Sequence, residues 1–270
     1  MAIDLERVQK DIRKLRRFLK RPPKHATPNK VHSVRTAIRR FEAAMHALSL
    51  GFDSNEKRLV SKLEKLRKRA GKVRDLDVLT GYLADLEMSG EEECLVQLLE
   101  HLGAEHARQS ERLHSFAVKH GESLRRRLKR TASDLKISSQ DATAGNFAPG
   151  DTMLWELRLQ RELTEPVRLT ENNLHSYRLR VKELRYTLQM EMDPADQDLI
   201  NTLGEVKDAI GEWHDWRQLA KIALDSLPHG SKCKLIPLLQ KITQQKLRHA
   251  LAVAKAGRRR IHSSHTETGV

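Results

Sequence analysis

Cationic side chains that recur at helical spacing carry the first chemical signal in this 270-residue chain. In the stretch HSVRTAIRR, His32, Arg35 and Arg39 fall on one narrow face at about 100° per residue. Val34, Ile38, Phe41 and Met45 occupy a neighbouring face, about a third of a turn away. The arrangement returns in HSYRLRVKELRY, where His175, Arg178 and Lys182 run beside Tyr177, Val181, Leu184 and Leu188. Arginine presents a planar fork that can donate two parallel hydrogen bonds to a phosphate, whereas lysine acts as a movable point charge. A mixture of the two, held at the shoulder of an apolar stripe, suits a polyanion gripped between helices without a fixed register.

A third stripe strengthens that reading. Arg58, Lys62, Lys65 and Arg69 are spaced by four, three and four residues, so they share a face beside leucines. Their charges repeat every ~4.5–6 Å along the axis, a rhythm that fits a chain of anionic groups better than one compact ligand. The plain alternative is a solvated face with i,i+4 ion pairs. The aligned positions later in the chain are Asp198, Thr202, Glu205 and Ala209, so the first half is expected to bind more strongly. Packing the two helices together is expected to bring Arg35 and Arg39 into one groove with Lys62, Lys65 and Arg69. Arg178, Lys182 and Arg185 would continue that groove.

Other chemistries find less support. A lone helical histidine is more often structural than a ligand, but His32 and His175 each stand three residues ahead of an arginine. Protonation near the ordinary pKa of ~6.5 would add charge there in mild acid. His101, His106, His114 and His120 are scattered without carboxylate or cysteine partners at ligand spacing, so no metal and no cofactor are expected. Asp75 and Asp215 could be read as an acid pair, but each follows a Gly-x-x-x step where it can orient a basic neighbour. Trp213 and Trp216 are read as core residues, and the runs Arg125–Arg127 and Arg258–Arg260 as helix-end charge. No nucleophile–base pair, Gly-rich phosphate loop or HExxH occurs, and the expectation is a protein without catalytic activity.

The elements that must position these side chains are helices. Lys and Arg number 50 against 36 Asp and Glu, a net charge of +14, which favours polyanionic partners and leaves the fold open. Aromatic residues, at 4%, are few for a protein that stacks single-stranded bases. Two cysteines fit a reducing compartment, and no apolar run suits a membrane span, so a cytoplasmic location without membrane insertion is expected. Helical patterns run over 2–21, 28–51, 54–89, 91–135, 152–168, 171–192, 194–226 and 231–262, with Gly103 and Gly121 as weak points in the fourth. The small polar stretch 138–150 reads as a linker, and the tail from Ser263 as frayed. Strand patterns are absent, so the expected class is all-α.

The pattern also repeats. GKVRD (Gly71–Asp75) aligns with GEWHD (Gly211–Asp215), and Leu59, Leu63 and Leu79 with Leu199, Leu203 and Leu219. An internal duplication of a four-helix unit, 1–137 and 151–262, accounts for this better than eight unrelated helices.

Four blocks in order, HSVRTAIRRF, LRKRAGKVRDLDVL, LHSYRLRVKELRY and LGEVKDAIGEWHD, resemble the CHAD family, the conserved-histidine α-helical domain. The resemblance spans about residues 2–262. It implies two four-helix bundles with pseudo-two-fold symmetry around a basic channel, and binding of inorganic polyphosphate, with association with polyphosphate granules a further expectation. The motif cations it implies are His32, Arg35, Arg39, Arg40, Arg74, His175, Arg178, Lys182 and Arg185, with Tyr186 following. The pattern departs at Glu42 or Ala43, where an arginine is usual, and at Lys207, where glutamine is common before the second LG motif. Lys207 is counted with the binding set. The amino-terminal ExExK of fused triphosphatases is not found in the sequence. Two other functions remain open at this point: a basic helical nucleic-acid binder, and a metal-dependent phosphohydrolase.

Overall fold

The structure, a computed structural model, describes residues 3–48, 54–86, 92–140, 149–165, 167–190, 197–227 and 233–267. Among these residues the fold is all-α, with eight helices and no extended strand. They are α1 (Leu5–Lys20), α2 (Pro28–Ala47), α3 (Ser54–Ala84), α4 (Glu92–Gln140), α5 (Pro149–Thr164), α6 (Glu171–Leu188), α7 (Gln197–Ser226) and α8 (Leu235–Glu267). No helix among the described residues is long and apolar enough to cross a membrane.

Local chemistry explains most of the helix ends. Asp4 caps α1, its carboxylate accepting from the backbone N–H groups of Glu6 and Arg7. Thr27 caps α2 ahead of Pro28, whose missing N–H costs nothing in the first turn. The fifth helix stops at Thr164, short of the expected Arg168, because Pro166 cannot donate to a continuing helix. The sixth is then started by Asn173, which accepts from Thr170 N–H at 2.8 Å and donates to the Arg168 carbonyl at 2.9 Å.

Three expectations need correction. Gly103 and Gly121 are not weak points, since α4 runs unbroken from Glu92 to Gln140. Gly121 is a contact point: a Cβ there would lie 2.9 Å from the backbone oxygen of Leu19, so its lack of a side chain lets α1 lie close against α4. The tail from Ser263 is helical to Glu267, with the Ser263 hydroxyl donating to the Arg259 carbonyl. Of the expected linker, 138–140 extends α4 and 149–150 begins α5, while 141–148 lie outside the described residues, as do Gly51, Asp53, Ser89 and Gly90.

The chain forms two compact units. The first comprises Met1–Arg74, Ala107–Leu157 and Tyr186–Ala195, and the second Asp75–His106, Arg158–Arg185 and Asp196–Val270. Helices α3, α4, α5 and α6 each contribute to both. In the first unit α1 packs on α2, and Ile12, Leu15, Ile38, Phe41, Met45, Leu59, Leu63 and Leu66 are fully buried with Leu124 and Leu128. Each such side chain contributes roughly 1.5–3 kcal/mol by leaving water.

In the second unit Leu79, Leu83, Leu98, Trp216, Leu219 and Leu239 share one cluster, and α7 packs along α8. Both tryptophans on α7 are core, as their spacing implies: Trp213 is fully buried and Trp216 stacks on Tyr82 with centroids 4.7 Å apart. The two cysteines, Cys94 and Cys233, are buried in this cluster.

Candidate functional site

In the first unit, α2 directs Arg35 and Arg39 onto α3. The Arg35 guanidinium lies against Gly71, within 3.7 Å of where a Cβ would stand. Arg39 is pushed below the usual arginine range by burial first and by the charge of Arg67 second, with Arg35 adding to the effect. Glu42 and Tyr186 act in the opposite sense. Arginine does not lose its proton in such surroundings, so the physical content is a crowded set of permanent cations.

Glu42 is the counter-charge in that crowd. Burial raises its pKa, and the neighbouring Arg67 opposes the rise. Arg67 Nε lies 2.9 Å from Glu42 Oε2 and 3.1 Å from Oε1, in side chains that are both largely buried. Arg40 turns elsewhere: after burial, its field is the strongest influence on Asp11, which is buried on α1. His32 is exposed and Arg74 half-buried.

The single groove expected from α2 and α3 does not form in this unit. Lys62, Lys65 and Arg69 lie on the α4 side of α3, where all three lower the pKa of His120 after burial has begun the shift. Arg69 stacks over Phe116, its guanidinium carbon 4.4 Å from the ring centroid. Arg67 and Gly71, which meet the α2 arginines, are about half a turn away around α3. The leucines Leu59, Leu63 and Leu66 occupy the arc on one side between the two stripes. Spacing alone sets Lys62, Lys65 and Arg69 beside the core and leaves open on which side.

The second unit gathers its cations more tightly. Arg178 on α6 donates from Nε to the carbonyl of Lys207 on α7 at 3.1 Å. Its guanidinium also crosses Gly211, where a Cβ would lie 2.5 Å from Nη2. About two turns further along α6, Arg185 Nε reaches the Ile200 carbonyl at 3.4 Å and passes Gly204. Lys182 is buried, and the Lys207 amine lies 2.6 Å from the carboxylate of its exposed neighbour Asp208.

His175 and His214 face one another with ring centroids 5.0 Å apart. The His214 pKa is pushed down to about 4, by burial first and then by His175, Arg178, Arg217 and Lys182. His175 is also lowered, by burial and then by Arg178 and Lys182. The expectation that the His175 imidazole charges at its ordinary pKa is therefore corrected: desolvation and cationic neighbours both oppose the proton. Four positive or titratable groups thus act on one imidazole, and Arg217 among them also faces Glu171, with its Nε 3.5 Å from Oε1.

The corresponding residues of the two motifs make the same contact, Arg35 on Gly71 and Arg178 on Gly211. Counted from the histidines, Glu42 stands where the later motif has Arg185; counted from the glycines, Arg67 stands where it has Lys207. Arg67, His214 and Arg217 escaped the sequence reading. His214 carried a usable signal, because it occupies the position that Arg74 holds in GKVRD. Asp75 and Asp215 are both engaged in polar or electrostatic interactions within the fold.

A family model described as the CHAD domain matches residues 6–223. Neither the curated proteins nor the solved structures offer a match to this chain.

Proposed function

As this chain belongs to the CHAD family, we propose that it binds inorganic polyphosphate and does not turn it over. The observation that carries the proposal is the convergence of His175, Arg178, Lys182 and Arg217 on His214, pushed down to about 4. Cations held this close repel one another, Arg217 faces the carboxylate of Glu171, and a phosphate chain would supply one negative group after another. Arg35, Arg39 and Arg67 form a comparable set, tempered by Glu42. The set to be tested is His32, Arg35, Arg39, Arg74, His175, Arg178, Lys182, Arg185 and Tyr186, with Arg67 and His214 added. Lys62, Lys65 and Arg69 are assigned to an outer cationic stripe that feeds the ligand in.

The internal duplication and the basic channel implied by the family resemblance belong to the same proposal, as does a cytoplasmic location near polyphosphate granules. Binding should be strong in sum and weak per contact, with part of the drive coming from released counterions.

A competition titration tests this reading. Long polyphosphate should displace an RNA or DNA of equal charge far more readily than the reverse. Preference for the nucleic acid would make this a nucleic-acid-binding protein. Steady Mg²⁺- or Mn²⁺-dependent phosphate release, abolished by Asp75→Ala or Asp215→Ala, would make it a phosphohydrolase.

A further inference from the structure

We propose that a separate cleft, between the carboxyl-terminal half of α1 and the start of α2, binds a nucleoside polyphosphate. The cleft has a volume of about 720 Å³, within the roughly 300–1,000 Å³ typical of small-ligand sites. Lys14, Arg17, Lys20 and Arg21 line it from the α1 side and Lys30 from α2, and no carboxylate is among the described residues that line it. Lys14 and Arg17, three residues apart, share one face of α1, and Arg21 follows as the non-helical residue that ends the helix. Lys14 also acts on Asp11, but Arg40 is the stronger charge on that buried carboxylate. The cationic wall is thus left with a large positive excess.

A plain phosphate patch would need nothing more, yet this cleft has an apolar floor. Phe18, Pro23 and Val34 line it, with Val34 buried and Phe18 half-buried against the core. A flat heteroaromatic ring can settle on Phe18 while the neighbouring arginines add cation–π contact and reach for phosphate. Asn29 and Ser33 also line the cleft. Between them they offer both donors and acceptors to the polar edge of a base or to a ribose hydroxyl. Charge at one wall, an apolar floor and a few amide and hydroxyl groups are what a phosphorylated nucleoside requires of its site.

The walls are also held in place. The close approach of Gly121 to the Leu19 carbonyl fixes the end of α1 against α4. His114 Nδ1 lies 3.2 Å from the Pro23 carbonyl and anchors the turn between the helices. Lys30, Ser33 and Val34 point roughly opposite to His32, Arg35 and Arg39 around α2. The cleft is therefore distinct from the proposed polyphosphate cations, and its fate in an experiment does not depend on theirs.

Calorimetric titration of the full chain with ATP, tripolyphosphate and phosphatidylserine vesicles tests the proposal. ATP should bind at least about tenfold more tightly than tripolyphosphate. Phe18→Leu, which keeps apolar volume but removes the ring, should erase that preference. Arg17→Ala with Lys30→Ala, both at exposed positions, should weaken ATP binding by about tenfold or more with the helical circular dichroism unchanged. Arg35→Ala with Arg178→Ala should leave ATP binding as it was while weakening long polyphosphate. The proposal is overturned if ATP does not bind or if tripolyphosphate binds equally well. It is equally overturned if ATP binding is lost with Arg35 and Arg178, or if vesicles bind at the cleft and ATP cannot displace them.

Discussion

Arg178 lays its guanidinium over the backbone of Gly211, and its Nε donates to the Lys207 carbonyl at 3.1 Å, one turn earlier in the same helix. The glycine is what allows this: a Cβ at 211 would stand 2.5 Å from Nη2. Alanine at 211 should therefore displace the guanidinium. Because the obstacle is the end of a flexible side chain, the fold should survive, helped by the ~1 kcal/mol that alanine gains over glycine inside a helix. Gly211→Ala is expected to keep the melting temperature within a few degrees while lowering polyphosphate affinity severalfold. Gly71→Ala is the internal control, because Arg35 leaves 3.7 Å there. It should stabilise the protein slightly and leave binding unchanged.

The α2 arginines give a second prediction. Charge-assisted phosphate contacts are worth on the order of 1.5–3 kcal/mol each, less where water screens them. Arg35→Ala together with Arg39→Ala should weaken polyphosphate binding by at least about tenfold and flatten its salt dependence. Arg259→Ala with Arg260→Ala should cost much less, since these belong to an exposed run near the end of α8. Glu42→Gln should act in the other direction. It keeps the shape of the side chain, removes the charge that faces Arg67 at 2.9 Å, and should raise affinity at some cost in stability. Equal losses from the two arginine pairs, with the helical fold intact, would mean diffuse surface attraction instead of a defined site.

Much of this was legible in the chain. The eight helices follow from apolar periodicity, proline stops and capping residues, and most bounds differ from those expected by only a few residues. Trp213 and Trp216 could be assigned to the core because they lie three apart on a long apolar pattern. What periodicity cannot convey is which neighbour each flank of a helix receives. Lys62, Lys65 and Arg69 were correctly placed at the edge of the core, but only packing reveals that α4, with His120 and Phe116, covers that edge. This stripe therefore lies on a different side of α3 from the one that meets Arg35 and Arg39. Arg67 was hidden for the same reason, lying outside the counted stripe and meeting Glu42 only in three dimensions.

The glycines of α4 make a third prediction, on stability alone. Nothing lies within 4 Å of a Cβ built at Gly103, so Gly103→Ala should stabilise by about 0.5–1 kcal/mol through helix propensity. At Gly121 the obstacle is backbone, the Leu19 oxygen at 2.9 Å, which cannot swing aside. Gly121→Ala should destabilise by about 1–3 kcal/mol, the usual cost of overpacking. Thermal or denaturant unfolding of the two variants, read side by side, checks the opposite signs.

The last prediction concerns protons. His214 has its pKa depressed to about 4, so it is neutral in the folded protein between pH 4 and 6.5, whereas in the unfolded chain it would carry a proton. The unfolded state then binds more protons, so this histidine's contribution to stability is full above about pH 6.5 and is lost as the pH falls towards 4. The lowered pKa of His175 acts in the same sense. A bound phosphate chain reverses part of the cause. It offsets the positive charges of Arg178, Lys182 and Arg217 that face His214, so its arrival should raise the histidine's pKa. Binding must then take up protons, and polyphosphate affinity should increase as the pH is lowered from 7 to about 5. Titration of the His214 ring by nuclear magnetic resonance, with and without ligand, reads the shift directly. In His214→Gln the pH dependence of affinity should flatten, with the residual slope coming from other titrating groups, such as His175. A His214 pKa unmoved by saturating polyphosphate would place the ligand away from this cluster.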